Sequence, residues 1–278
     1  MARSVREAVT ARVGSAAGAL VIALHAQAPP APEPVRAYAE VNGLHMYYEI
    51  HGRGRPILLL HGGIADDSFW SKTIPALAKD HQVIAPEQMG HGHTADLPSR
   101  EFSYTQMAED TAALLAQLRV ASVDIVGWSD GGIIGYLLAV HHPQLVRKLV
   151  TSGSNVDGDG LPPPTTAEVK PEQLPQFFRD EYEKVSPDGP QHYPLFVRRV
   201  AAMWRKYPYV ARGKLAGIHC PTLIIVGDHD FFPVEPALRL AQAIPGAQLM
   251  VVPGAGHGTF LNKPELMNLA VLEFLEAP

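Results

Sequence analysis

From Ala39 onward, apolar and polar positions alternate between two rhythms. Short apolar runs bounded by turn residues alternate with longer stretches whose apolar positions recur every three or four residues. Glu40-Val41, then Asn42-Gly43, then Leu44 to Ile50 predicts a hairpin, because Asn-Gly suits the positive φ angles of a type I′ turn. Pro56 to His61 contains the unbroken run Ile57-Leu58-Leu59-Leu60, the mark of a strand covered on both faces. Further strands are expected at Val83 to Ala85, Val123 to Val126, Leu149-Val150, Leu223 to Val226 and Leu249 to Val252. Ser103-Tyr104-Thr105-Gln106 reads as a capping box, with Ser103 capping a helix and Gln106 reaching back. Met107, Thr111, Leu114, Leu115 and Leu118 then line one face of that helix. Such alternation predicts an α/β protein with a mostly parallel, twisted sheet and helices on both faces.

The rhythm breaks between about Asn155 and Gly217. Asp157-Gly158-Asp159-Gly160 and Pro162-Pro163-Pro164 interrupt the chain, and helical patterns follow without a strand. Phe196, Val197, Val200, Ala201 and Trp204 make one amphipathic face. The expected organisation is a core in two parts, 39–154 and 218–278, with a helical cap over 155–217. Asp157 and Asp159 faintly match a calcium loop, but the rest of the ligand pattern is missing, so the stretch reads as a hinge.

Ahead of the core, Arg3, Arg6 and Arg12 precede the small-to-apolar run Val13 to Leu24 and then Ala26-Gln27-Ala28. That layout predicts a signal peptide over 1–28 and a secreted or periplasmic protein. The run is too short to span a bilayer. A mitochondrial-type or merely frayed N-terminus is the alternative, and without export the protein is cytoplasmic. A proline-rich spacer is expected over 29–38.

Composition narrows the function. Lys plus Arg is 23 against 28 for Asp plus Glu, a net charge of −5, so nothing attracts nucleic acid. A single cysteine, Cys220, excludes an internal disulfide and a cysteine metal cluster, and reads as a small buried residue.

The strongest chemical signal is Gly127-Trp128-Ser129-Asp130-Gly131, directly after a predicted strand and before a helical run. It fits G-x-S-x-G, a turn so sharp that the serine stands clear of the sheet edge. Backbone N–H groups at the helix start then converge on an oxyanion position. A serine hydroxyl is a weak nucleophile, so a base and an orienting acid must follow it. Asp228 and Asp230 follow the strand ending at Val226, and His257 follows the last strand. All lie at strand C-terminal ends, where open α/β sheets place their sites.

With His61-Gly62-Gly63, Gly90-His91-Gly92, Gly127 to Gly132, Gly227-x-x-Asp230 and Gly256-His257, the chain resembles the α/β-hydrolase superfamily from about Ala39 onward. The resemblance implies Ser129 as nucleophile, His257 as base and Asp230 as the acid in preference to Asp228. It also implies the N–H groups of Gly63 and Asp130 as oxyanion donors, and no cofactor. Glu87 and Met89 stand where the family usually has an Asp–Arg pair, and Thr94 takes the usual small-hydroxyl position. The Gly-Trp-Ser-Asp-Gly-Gly turn is similar to that of valacyclovir-hydrolase-like members, where an acidic group suits α-amino acyl esters.

The expected activity is hydrolysis of small-molecule carboxylic esters. A lactonase, C–C hydrolase, amidase or perhydrolase uses the same triad, and a ligand receptor on the scaffold is the alternative of another class. Ser129 in place of a carboxylate argues against alkyl-ester chemistry on halides or epoxides. Ile64, Trp70, Trp128, Phe231 and Phe232 are candidates for an apolar pocket, as are Phe69 and Met89. His61 is expected to support the oxyanion loop, and His91 and His93 to hydrogen-bond loops and hold no metal. Asp130 either faces the cavity or bonds backbone N–H groups away from it.

Overall fold

The computed structural model describes residues 33–157, 169–206 and 208–278. The described chain opens with β1 (Val35–Val41) and β2 (Leu44–Gly52), joined by Asn42 and Gly43 at φ 51° and 80° as the Asn-Gly pair predicts. β1 starts at Val35, so pairing begins directly after the last proline of the spacer, and not at Ala39. Val35 and Arg36 are exposed on this edge strand, so no apolar signal marked them. The predicted signal segment lies outside the described residues.

β3 (Arg55–Leu60), β4 (His81–Pro86), β5 (Val123–Trp128), β6 (Val146–Ser152), β7 (Thr222–Gly227) and β8 (Gln248–Val252) complete the sheet. Its order is β1-β2-β4-β3-β5-β6-β7-β8, antiparallel at β1–β2 and β2–β4 and parallel elsewhere. The apolar run of β3 explains its central place. Leu58 and Leu60 join one hydrophobic cluster and Ile57 and Leu59 the other, so both faces are covered.

The short α1 (Ile74–Leu77) follows β3, and α2 (Tyr104–Gln117) and α3 (Asp130–His141) pack on the first face. Ser103 stands at the N-cap of α2, but its side chain makes no capping bond. Gln106 does not reach back; its Nε2 donates to Asp110 at 3.0 Å. Asp110 is buried and also accepts from Arg100, just ahead of the helix, and from Asn42, 68 residues away in the chain.

Between β6 and β7 lies the helical cap, with α4 (Gln176–Val185), α5 (Tyr193–Trp204) and α6 (Arg212–Leu215) and no strand among the described residues. Phe196, Val197, Val200 and Ala201 are buried along α5 as their spacing predicts. Buried Asp96 ties this helix to the core, accepting from His192 Nε2 at 2.9 Å and Arg199 Nη1 at 2.5 Å. Of the expected hinge, Asp157 pairs with Arg212, and the stretch beyond it lies outside the described residues. α7 (Val234–Ala243) flanks β7 and β8, and α8 (Thr259–Asn262) leads into α9 (Pro264–Glu276), which covers the second face. Among the described residues, no helix is long and apolar enough to cross a membrane. Cys220 is only half-buried, 4.0 Å from Thr222 Oγ1, rather than sealed in the core.

Candidate active site

β5 delivers Trp128 to the sheet edge, and the chain turns at Ser129 with φ 53° and ψ −119° before α3 begins. For a residue with a side chain such backbone costs about 1–3 kcal/mol, and surrounding bonds must enforce it. Ser129 N–H donates to Ser152 O at 2.8 Å, and Ser154 Oγ donates to Ser129 O at 2.8 Å. A side chain at Gly131 would place its first carbon 2.0 Å from Leu60 O, so only glycine lets α3 start this close to β3.

His257, in the loop after β8, brings Nε2 to 3.0 Å from Ser129 Oγ. Its Nδ1 lies 3.0 and 3.2 Å from the two carboxylate oxygens of Asp230, whose side chain is fully buried. Phe232 N–H donates to the same carboxylate at 3.0 Å and fixes its plane. Asp228 has a different task. Burial acts against its charge, but the N–H groups of Gly254 and Ala255 and the His229 ring hold the carboxyl below its ordinary range. It braces the loop that carries His257. Trp128 Nε1 does the same from below, donating to His257 O at 2.8 Å.

Gly63 N–H and Asp130 N–H donate to no backbone carbonyl among the described residues, which leaves both available to an oxyanion. His61 supports the Gly63 loop: its Nε2 accepts from Gln88 N–H at 3.1 Å, so Nδ1 carries the proton and donates to Gly62 O at 2.8 Å. Burial lowers the pKa of His61 and pushes His91 down to about 3, so both rings are neutral. His91 donates to Met89 O. His93 pairs with Glu87, whose hydrogen bond raises the imidazole pKa. Thus His93 supplies the partner that Glu87 lacks with Met89 in place of arginine.

Asp66, Asp67 and Glu87 bring one oxygen each within 4.8 Å of one another. Asp66 accepts from Ser68 N–H and Glu87 from His93, while burial and then Glu87 push Asp67 up to about 9. Burial and the neighbouring carboxylate thus both favour the protonated form of Asp67.

A cavity of about 450 Å³ opens over Ser129 and His257. Ile64, Trp128, Phe231 and Phe232 line it as expected. Trp70 does not. It is fully buried on the opposite face of the sheet, edge-on to Phe69 and Phe260, because its one-turn 3-10 helix points the indole inward. Phe69 stacks beneath Trp128 at 3.8 Å and Met89 is core, so neither reaches the cavity. Sequence reasoning missed Tyr104 and Ile133 of the core and Leu174, Phe178 and Trp204 of the cap. Only the apolar stripe of α5 carried a signal, and it named Trp204 without its role.

Asp130 faces this cavity, and among the described residues its carboxylate binds no backbone N–H. Oδ1 accepts from Tyr104 O–H and Oδ2 from Trp204 Nε1, each at 2.8 Å. Burial pushes the carboxyl up to about 6, opposed by these two donors. Of the two alternatives in the sequence, the carboxylate facing the cavity is the one found; the other needs correction, because its partners are two side chains at the cavity wall and not backbone N–H groups away from it.

An eight-stranded, mostly parallel sheet with this turn, loop order and cap defines the class, and residues 55–199 match the family model of the alpha/beta hydrolase fold. The chain belongs to that family. A relative in Azorhizobium caulinodans named as a carbamate hydrolase, RutD, is 30% identical over 259 residues, 85% of this chain and 97% of that protein. A 2-hydroxymuconate semialdehyde hydrolase of Pseudomonas sp. strain CF600 is 28% identical over 81% of this chain and 88% of its own. Among solved structures, Est816, described as an N-acyl homoserine lactone degrading enzyme, is similar with a TM-score of 0.70 and 27% identity. The match covers 86% of this chain and all of that one.

Proposed function

We propose that this chain is a serine hydrolase that cleaves carboxylic esters of small molecules through an acyl-enzyme. One observation carries the reading: Ser129 Oγ lies 3.0 Å from His257 Nε2, and His257 Nδ1 lies 3.0 Å from buried Asp230. With Nδ1–H donated to Asp230, Nε2 keeps a lone pair facing Ser129. Ser129 Oγ attacks the carbonyl carbon as its proton passes to Nε2. The displaced electron pair on the carbonyl oxygen meets the N–H groups of Gly63 and Asp130. Collapse breaks the ester C–O bond, and the leaving alcohol takes the proton from Nε2. Water then gives a proton to His257 and its oxygen attacks the acyl carbon. The second collapse returns the proton to Ser129 and frees the acid.

The names of the relatives support carbonyl chemistry of this kind, and a lactone or carbamate is opened by the same attack. Apolar lining around the serine supports an apolar substituent, whereas the Asp130 carboxylate disfavours an anionic acyl group beside it. The basic and apolar layout of 1–28 supports export, with Ala28 the last residue removed.

The test joins labelling to turnover. A fluorophosphonate probe is expected to label Ser129 alone, and Ser129→Ala to lower kcat by about 10⁴ to 10⁶ with the fold intact. A panel of esters, lactones, amides and carbamates then ranks the bond types. Labelling at another serine, near-full activity of the alanine variant, or at most one equivalent of product refutes the reading; the last outcome points to a receptor.

A further inference from the structure

Among the described residues, Asp130 is the carboxylate that lines the catalytic cavity, and its two partners come from different layers. Tyr104 begins α2 in the core, whereas Trp204 ends α5 in the cap. The chain beyond Trp204 returns to the start of the cap segment, with Tyr209 N–H and Val210 N–H donating to Val156 O at 2.8 and 3.0 Å. Gly63 lies against the same junction. A side chain there would place its first carbon 2.4 Å from Asp130 Oδ2 and 2.7 Å from the Trp204 ring, so glycine is what lets the oxyanion loop pass. Cap, nucleophile turn and oxyanion loop thus meet at one carboxylate.

Resting on the hydrolase reading above, we propose that the Asp130 carboxylate is a catch that holds the cap to the catalytic floor, with Trp204 as its positioning residue. The indole N–H fixes the carboxylate and, through it, the pocket wall beside both oxyanion donors. A bond to an ionised acceptor is roughly twice as strong as a neutral one, so the catch is strongest while Asp130 is an anion. The groups that face it are Tyr104 from α2, Trp204 from the cap and His257 from the loop after β8. Burial, and then Asp130, holds the Tyr104 phenol well above its ordinary range, so it stays a donor. Because burial sets the Asp130 carboxyl near 6 against these donors, the catch closes above that pH and loosens below it.

The chain has three tryptophans, so ¹⁵N labelling of the indoles gives three N–H resonances, and Trp204→Phe identifies the one from Trp204. That resonance is expected to move with a midpoint near pH 6 and to stand still in Asp130→Asn. Unchanged Trp70 and Trp128 resonances show that each variant is folded. Tyr104→Phe keeps the ring but removes a donor that favours the anion, so it is expected to shift the midpoint to higher pH. A Trp204 resonance that ignores pH between about 5 and 8, or titrates equally in Asp130→Asn, overturns the proposal.

Loss of a charge-assisted bond predicts that Trp204→Phe lowers turnover of a short p-nitrophenyl ester about ten-fold. Turnover within about two-fold of the original chain also overturns it. If no probe labels Ser129, the hydrolase reading fails by itself, and the resonance titration alone decides whether the catch exists.

Discussion

Replacing Asp230 by asparagine tests the charge on which the candidate triad depends. The carboxylate lies 3.0 and 3.2 Å from His257 Nδ1 and is fully buried, so the imidazolium formed during attack has an anion at contact distance. Two unit charges about 3 Å apart, at an effective dielectric of about 20, attract by about 5 kcal/mol. That is close to four powers of ten in rate, so Asp230→Asn is expected to lower kcat by about 10⁴. The amide also turns an N–H toward Nδ1, which favours the wrong tautomer and takes the lone pair from Nε2. Asp228→Asn is the internal control. Its amide oxygen can still accept from the Gly254 N–H that Asp228 holds at 2.7 Å, so the loop stays braced and the loss is expected to stay below about ten-fold. Steady-state hydrolysis of a short p-nitrophenyl ester measures both variants, with circular dichroism as the check on folding. The reasoning fails if Asp228→Asn is the more damaged variant, or if Asp230→Asn keeps more than about a tenth of the activity.

Two further outcomes follow from the packing. Asp67 has a folded-state pKa near 9, raised by burial and Glu87, so the folded chain holds a proton that the unfolded chain releases near 4. Stability from this group is present below the unfolded pKa and is lost as pH rises through the folded one. Asp67→Asn is therefore expected to raise the melting temperature at about pH 8 and to change it little at about pH 4; an equal shift at both refutes the assignment. In the cap, Phe178→Ala removes a ring that lines the cavity, which is expected to move the preference among p-nitrophenyl esters toward longer acyl chains. An unchanged chain-length profile means that the cap does not shape the pocket.

How much was legible follows the range of the forces involved. The Asn42-Gly43 turn, the buried run of β3, the stripe of α5 and the Gly-x-Ser-x-Gly turn are local patterns, because backbone angles and side-chain period are set within a few residues. Chain order placed Ser129, the Asp228–Asp230 pair and His257 at one sheet edge, since parallel strands put all their C-terminal ends on one side. The resemblance then preferred Asp230.

Tertiary structure decided the rest. Two aspartates two residues apart in a loop are equivalent by composition, and only the packing of the His257 loop turns Asp230 to the ring and Asp228 to Gly254. Aromatic identity predicts burial but not direction, so Trp70 fills the far core while Trp128, from the sheet edge, reaches both His257 and the cavity. Gln106 leaves the expected cap and donates to Asp110, a buried carboxylate that also holds Asn42 from 68 residues away. Asp130 meets Tyr104 from 26 residues away and Trp204 from 74. A buried carboxylate takes whichever donors the fold brings within reach, and the residues next to it in the chain do not encode which those will be.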